Sequence, residues 1–475
     1  MTDPVQDTIS RTQERLSSGL FNPVTPGELR SIASDLDALP PAQRQEVIEG
    51  LSDDDLQKLA GEIMQSRPII GGLGSAERQE LFADLARGLD GTQLARVAEA
   101  FSTTGGDSDG FTPIGELAAA VATHGGTQQK LDFIAEIAPL TTDSSGFSST
   151  SIGSSTSTFA DAEANAVGTV VASMRGQAVT EALSLLDDTE LQAVIDSSIE
   201  SNITTSSMGM ASASSLSWDT ESYTAIMEAV ASASSVGGTS PIDSVEQRAR
   251  AFDAAGTRLA EVDDVGSLPG FTVIGKSDTI AAVVDDMSDV LGSNTTGITL
   301  ELSQDGRFDD GAAMIAYAKG MLESGQADAL GETMARLQLG NDLTGNAVDQ
   351  LESQITLADG TELYATAESL GYFMASTYTA TEQITADVEA QRQLAADVVG
   401  GLLKFIDTGP AGPVVDFVSK RVISASVDAV IGDPTSDAAD ILRDTALPLN
   451  PETNNRMISS EAFQAFTSQI TSVRP

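Results

Sequence analysis

A short motif that places an apolar residue directly before a helix-capping residue recurs along the first half of this sequence. Its copies are Leu51-Ser-Asp-Asp-Asp-Leu56, Leu89-Asp-Gly-Thr-Gln-Leu94, Leu186-Asp-Asp-Thr-Glu-Leu191 and the looser Val24-Thr-Pro-Gly-Glu-Leu29. The second residue of every copy is a type that caps helix N-termini, and the two apolar residues are spaced as in a hydrophobic staple. The motif therefore predicts helices that are capped by Ser52, Asp90, Asp187 and Thr25.

A longer stretch of the N-terminal third is also repeated. Leu39–Ile48 aligns with Leu73–Phe82, and both contain an alanine followed, one residue later, by Arg-Gln-Glu. Together with the capping motif, each unit has the pattern of two short amphipathic helices joined by a tight turn. One such hairpin cannot bury a core alone, whereas stacked hairpins can. We therefore predict a helical-hairpin repeat domain over residues 1–140.

Polar stretches divide the middle of the chain. Residues 141–158, 201–217 and 231–241 are rich in Ser, Thr and Gly and contain few large apolar residues. Such composition is typical of loops and flexible linkers. We therefore expect residues 141–241 to be linkers with helical segments between them.

Apolar residues at helical spacing resume after residue 241. They predict a mainly helical C-terminal domain over 242–432, with one long helix over 362–406, and a polar tail over 433–475. The clearest strand pattern is the alternation of Ile298, Leu300 and Leu302, so at most a small β element is expected near 270–302. The predicted fold class is mainly α.

The charge of the chain limits its partners. Seventy acidic residues stand against twenty-five basic ones, which gives a formal net charge of -45. Binding to nucleic acid or to an anionic membrane needs clustered Lys and Arg, so neither is expected. Such a charge pushes the folded state apart by self-repulsion. It fits a saline cytoplasm, a calcium-containing exterior, or export in an unfolded state.

One loop has the partial pattern of a calcium site. In Gly105–Glu116, Asp107, Asp109 and Glu116 occupy positions three, five and twelve of an EF-hand loop, and Gly110 occupies the sharp-turn position six. Position one is glycine rather than aspartate, which departs from the pattern. A surface turn with a capping Asp is the alternative. Calcium is the only cofactor that the sequence suggests.

Two residue types that many catalytic sites use, cysteine and histidine, are absent or nearly absent from the chain. The chain has no cysteine and one histidine, His124, which sits at a predicted helix end, where a cation suits the helix dipole. Paired carboxylates such as Asp53-Asp54, Asp187-Asp188, Asp285-Asp286 and Asp309-Asp310 are expected by chance in so acidic a chain. No glycine-rich phosphate-binding motif is present. We therefore predict no catalytic residues and a protein that is not an enzyme.

Two passages resemble the helical leader and linker regions of bacterial polymorphic toxins and translocated effectors. They are Leu39–Phe101 and the stretch from Glu368 to Asp407. In those proteins a C-terminal enzyme or pore module usually carries the activity, and the short polar stretch after residue 431 departs from that arrangement. The resemblance implies a helical protein that is delivered to another cell.

These observations lead to one expected function and two alternatives. We expect an exported or injected effector-like protein that acts by binding or assembly, with protein partners that include a secretion or injection apparatus. The N-terminus lacks a basic segment followed by an apolar one, so export without a cleaved signal peptide is expected. The alternatives are an intracellular helical scaffold of a salt-adapted bacterium and a hydrolase that uses two carboxylates.

The helices predicted at 394–406 and 414–431 allow two readings. They are apolar and are joined by Gly409-Pro-Ala-Gly-Pro413. A membrane-active hairpin is one interpretation, and a hairpin buried within the protein is the favoured one. No apolar run is long enough for a stable transmembrane span.

Overall fold

The computed structural model describes most of the chain in segments. They are residues 3–16, 26–52, 54–56, 58–59, 75–102, 113–141, 147–150, 154–159, 161–208, 211–237, 242–264, 271–304, 311–356, 360–408, 421–423, 436–450 and 455–473. The fold is mainly α-helical, which confirms the predicted class. The chain divides into two compact units. The first comprises 1–229, 236–242 and 267–274, and the second comprises 230–235, 243–266 and 275–475.

Short helices and one sheet build the first unit. Its helices are α1 (Pro4–Leu16), α2 (Pro26–Asp37), α3 (Pro41–Gly50), α4 (Ser75–Gly88), α5 (Gly91–Ser102), α6 (Pro113–His124), α7 (Thr127–Ile137), α8 (Ala162–Ala172), α9 (Gln177–Leu185), α10 (Asp188–Ser198) and most of α11 (Glu221–Ala231). The largest fully buried side chains here include Phe82, Leu94, Phe133 and Tyr223.

Three of the four predicted helix caps are confirmed. The Asp90 carboxylate accepts from the Gln93 amide at 2.9 Å, and the Gln93 side chain accepts from the Asp90 amide at 3.1 Å. Asp187 and Glu190 form the same reciprocal pair at 2.8 Å in both directions. Ser52 exchanges equivalent bonds with Asp55, each at 3.2 Å. The apolar residues on both sides of each cap are buried. Thr25 lies outside the described residues.

A five-stranded sheet corrects the prediction of linkers. Its strands are β1 (Phe147–Thr150), β2 (Ser154–Phe159), β3 (Glu200–Met208), β4 (Ala211–Asp219) and β5 (Phe271–Val273). They lie in chain order, antiparallel from β1 to β4, and β5 joins β4 in parallel. Strands occupy 147–150, 154–158, 201–208 and 211–217, so these parts of the two stretches were wrongly predicted as loops. Ser and Thr give no alternating apolar pattern, yet their backbones pair normally, and Thr is a good strand former.

Helices build most of the second unit. They are α12 (Ser244–Asp264), α13 (Lys276–Ser293), α14 (Thr295–Leu302), α15 (Ala312–Glu323), α16 (Ala327–Leu339), α17 (Ala347–Leu351), α18 (Ala365–Ile384), α19 (Val388–Thr408), α20 (Ala438–Ala446) and α21 (Ser460–Val473). A two-stranded ribbon, β6 (Ile355–Thr356) and β7 (Glu362–Leu363), precedes α18. Phe252 and Tyr317 pack edge to face in the core, with ring centroids 5.4 Å apart.

Close backbone approach at glycines holds several of these helices together. A Cβ at Gly331 of α16 would overlap the backbone of α19 at Gly401 and Leu402, and a Cβ at Gly371 of α18 would overlap the backbone of α21 at Phe466. Small residues at such crossings bring large areas of backbone and aliphatic side chain into contact. This packing suits a chain with only 4% aromatic residues.

The structure differs from the prediction at three places in this unit. The long helix predicted over 362–406 is two helices, because Asp387 caps the start of α19 by accepting from the amides of Glu389 and Ala390 at 2.9 and 3.0 Å. The strand pattern at 298–302 belongs to helix α14, while β5 at 271–273 confirms a β element nearby. The predicted polar tail contains α20 and α21, whose residues Ile441, Leu442 and Phe466 are buried.

The apolar segment at 394–406 lies in helix α19 with a buried face, as the favoured interpretation of a buried hairpin predicts for this part. Its residues Ala395, Val398, Val399, Leu402 and Ile406 are all buried. Residues 414–420 and 424–431, the rest of the predicted hairpin, lie outside the described residues. Among the helices of the described residues, none combines the length and the apolar character that a membrane crossing requires.

Candidate functional site

The predicted calcium loop is described only at its last residue. Asp107 and Asp109 lie outside the described residues, and Glu116 lies in the first turn of α6. Both carboxylate oxygens of Glu116 accept from the Arg78 guanidinium, at 3.2 and 3.4 Å. Calcium would have to compete with this ion pair for Glu116. Calcium binding at this loop stays a prediction.

Two other residues that the sequence analysis named, His124 and Asp187, lie at helix ends. His124 is the exposed last residue of α6, and Arg87 donates to its Nε2 at 3.5 Å. Asp187 is an N-cap, as described above. Across the described ranges, no group of three or more His, Cys, Asp or Glu side chains is arranged to hold a metal ion.

The strongest candidate site is a cavity in the second unit. Its volume is about 440 Å³, and five helices line it: α12, α13, α15, α18 and α21. This volume falls within the range of about 300–1,000 Å³ that is typical of small-molecule sites. The lining residues are Leu259, Ala260, Asp263, Asp264, Ile280, Ala312, Ile315, Ala316, Lys319, Gly320, Glu323, Thr379, Gln383 and Val473. We call this space the five-helix cavity.

Aliphatic side chains from four helices form the wall of the five-helix cavity. Leu259, Ile280 and Val473 are buried, and Ile315 is half-buried. Gly320 keeps the wall compact, because a Cβ at this position would lie 2.7 Å from Val284 Cγ1 on α13. On α12, Asp263 lies one turn after Leu259, and on α15, Lys319 lies one turn after Ile315. Residues at this spacing lie on the same face of a helix. The cavity therefore has an apolar wall and a charged mouth.

Asp263 is the centre of the charged mouth. Lys276 donates to its Oδ1 at 2.9 Å, and Lys319 donates to its Oδ2. Lys276 also donates to the Asp263 backbone carbonyl. Burial acts to raise the pKa of the Asp263 carboxyl, but the hydrogen bonds and positive charges of Lys319 and Lys276 outweigh it and hold the pKa below its usual value. Asp263 is therefore ionised at neutral pH, and it accepts from both ammonium groups.

The pKa of Glu323 is shifted in the opposite direction to that of Asp263. Partial burial, and then the negative charge of Asp263, raise the pKa of its carboxyl above the usual value, although Lys319 and Lys276 offset part of the effect. Within the described part of the chain, Glu323 and Asp264 have no hydrogen-bond or ion-pair partner. Both residues are exposed at the mouth. Two carboxylates there are consequently available to a ligand.

Helix α18 contributes an unsatisfied hydroxyl. Thr379 lines the cavity, and its Oγ1 is buried without a hydrogen-bond partner among the described residues. Ser376 lies one turn earlier on the same helix, and its Oγ is also buried without a hydrogen-bond partner among the described residues. A buried hydroxyl without a partner costs about 1–3 kcal/mol, so such groups usually face water or a ligand. Because the Thr379 oxygen is buried, its side chain would have to rotate before the hydroxyl could donate to a bound molecule.

Sequence reasoning did not find this site. Asp263, Lys276 and Lys319 lie on three different helices, and only the packing of α12, α13 and α15 brings them together. Glu323 lies one turn after Lys319 on α15. One signal was available, because lysine is scarce in this chain and two lysines converge here. An isolated lysine in a very acidic sequence indicates an ion pair but does not name its partner.

No protein-family model matches the chain, and the search of curated proteins finds no relative. Function is therefore inferred from the residues of the chain itself.

Proposed function

We propose that the second unit is a binding module for a small, mainly apolar molecule, and that the protein acts by binding rather than by catalysis. The observation that carries this proposal is the five-helix cavity, which combines an aliphatic wall with a few polar groups. Sites of this composition take ligands whose body is buried and whose orientation is fixed by a small number of hydrogen bonds. The charged mouth supplies such groups.

The cavity would also suit the effector-like role that the sequence predicts. A delivered protein that acts by binding needs a site for its target molecule, and the five-helix cavity supports one. Export, delivery and protein partners stay predictions. The scaffold alternative stays open as well.

A titration with an uncharged apolar probe tests the binding function. We expect adamantylmethanol to bind the full-length chain, with an affinity measured by calorimetry. Ala316→Phe places a large ring at a half-buried lining position and should abolish binding. Ala390→Phe is the matched control, because Ala390 is exposed on α19 outside the cavity. Equal binding by both variants would refute the assignment of the cavity.

A carboxylate-based hydrolase is the second candidate, and one observation favours it. The pKa of Asp263 is lowered and that of Glu323 is raised at one cavity mouth. Opposite shifts of this kind separate a general acid from an ionised carboxylate. In this case Glu323 would donate the proton. Hydrolysis of ester or glycoside test substrates that survives Glu323→Gln unchanged would remove this candidate.

A further inference from the structure

We propose that the molecule bound in the five-helix cavity carries a cationic amine, which Glu323 and Asp264 hold at the mouth while the apolar body lies against the aliphatic wall. This inference rests on the proposed binding function and specifies the chemical class of its ligand.

The charged residues that line the mouth do not balance. Among the described lining residues, Asp263, Asp264 and Glu323 are acidic and Lys319 is basic. Lys319 is bound to Asp263, and so is Lys276 from α13. Glu323 and Asp264 form no ion pair within the described residues, although the charge of Lys319 acts on both. Three acidic and two basic groups therefore leave the mouth with a net negative charge. Helices α18 and α21 add only uncharged side chains to the lining, Thr379, Gln383 and Val473.

A cation at this position would relieve an existing conflict. Partial burial, and then the charge of Asp263, raise the pKa of Glu323 at the end of α15, so its ionised form is disfavoured. An ammonium group beside Glu323 would favour the ionised form. Amine binding should therefore strengthen as the pH rises through the titration of Glu323. An anion would be opposed by both carboxylates and by the net charge of -45.

The wall and the mouth together define the shape of the ligand. The apolar body would contact Leu259, Ile280 and Val473, which come from three different helices. The amine would lie at the ends of α12 and α15, where Asp264 and Glu323 are the last residues. The ligand class is thus a compact amphipathic amine.

Three probes of one shape and different charge test this inference on the full-length chain. They are adamantylmethylamine, adamantylmethanol and adamantane carboxylate, each titrated by calorimetry at neutral pH and low salt. We expect the amine to bind about tenfold more tightly than the alcohol, because unit charges in contact near a protein surface interact appreciably. The carboxylate should bind most weakly. The preference for the amine should shrink at high salt.

Two variants locate the preference for the amine. Glu323→Gln should reduce amine affinity to nearly that of the alcohol and leave alcohol affinity unchanged. Glu389→Gln is the control, since Glu389 is exposed on α19 outside the cavity, and it should change neither affinity. The pH dependence of amine binding should also disappear in Glu323→Gln.

The outcomes separate the inference from the binding function on which it rests. Equal affinity for the amine and the alcohol, or tighter binding of the carboxylate, would overturn the amine inference and leave the binding function standing. Failure of the alcohol and the amine to bind the wild-type chain would overturn both. An amine preference that persists in Glu323→Gln would show that another group recognises the amine, which also overturns the inference.

Discussion

At the scale of single residues, Asp263 organises the charged mouth of the five-helix cavity. It binds Lys276 and Lys319 together, and these lysines come from two different helices. Only about a fifth of its side chain is exposed, at 19%. Its bonds therefore join α12 to α13 and α15 in a place where solvent screening is limited. By contrast, the ion pair of Lys404 with Asp328 is exposed and contributes little.

Asp263→Asn should destabilise the protein by about 2 kcal/mol, because hydrogen bonds to charged groups of this kind contribute about 1.5–3 kcal/mol. The folded-state pKa of Asp263 is lowered below its usual value of 3.8. Its contribution is therefore complete above that value and is lost as the pH falls through the folded-state pKa. Urea unfolding across this range should show the gap between wild type and variant closing in acid. A gap that is constant with pH would contradict this account.

Glu200 and Asp219 give the opposite pH dependence. They face each other across β3 and β4, and burial, followed by the charge of Asp219, raises the pKa of Glu200 above its usual value of 4.5. Stability should therefore fall as the pH rises from that value through the folded-state pKa. Glu200→Gln should stabilise the protein at neutral pH by about 0.5–1 kcal/mol. Thermal unfolding tests this, with Glu181→Gln on α9 as control. Destabilisation by Glu200→Gln would refute it.

At the scale of elements, the helix starts were the part of the fold most readable from sequence. The reciprocal caps at Ser52, Asp90 and Asp187 depend on residues within one turn, so a local pattern specifies them completely. The strands were missed because Ser and Thr carry no apolar pattern. Helix α14 was misread because Ile298, Thr299, Leu300 and Leu302 are all buried, and a helix that is buried on more than one side shows a weak amphipathic period.

Asp187→Ala should cost about 1 kcal/mol, because the variant loses the acceptor for the Glu190 amide at the start of α10. Asp187→Asn is the matched variant. Asn caps helices about as well as Asp, so it should cost much less. Chemical unfolding distinguishes the two. Equal losses would indicate that the charge of Asp187, rather than its capping bond, stabilises the helix.

The close crossing of α16 and α19 predicts that adding a methyl group at Gly331 destabilises the protein. Gly331→Ala should destabilise the protein by about 2 kcal/mol or more, because its Cβ would overlap the α19 backbone at Gly401 and Leu402. Gly400→Ala is the control on α19, where an added Cβ meets nothing within 4 Å. It should stabilise by about 0.5–1 kcal/mol, since alanine is the better helix former. If both substitutions acted in the same direction, the close approach would be disproved.

At the scale of the whole molecule, the helical spacing of apolar residues predicted the class of fold but could not predict the site. Abundant Ala, Val and Leu with few aromatics suit closely packed helices, and the structure is mainly helical. The five-helix cavity depends on side chains from helices that are distant in the sequence. Local patterns cannot specify such a convergence. The net charge of -45 bears on the site only indirectly, by favouring a cationic ligand over an anionic one.

The most direct test of the binding function is to locate the bound probe on the protein. Methyl NMR spectra of the full-length chain would be recorded during a titration with adamantylmethanol. We predict shifts at the methyl groups of Leu259, Ile280 and Val473, which three different helices bring to the cavity wall. The exposed Val388, outside the cavity, should not respond. Shifts confined to methyl groups outside the cavity, or no shifts at all, would contradict the account.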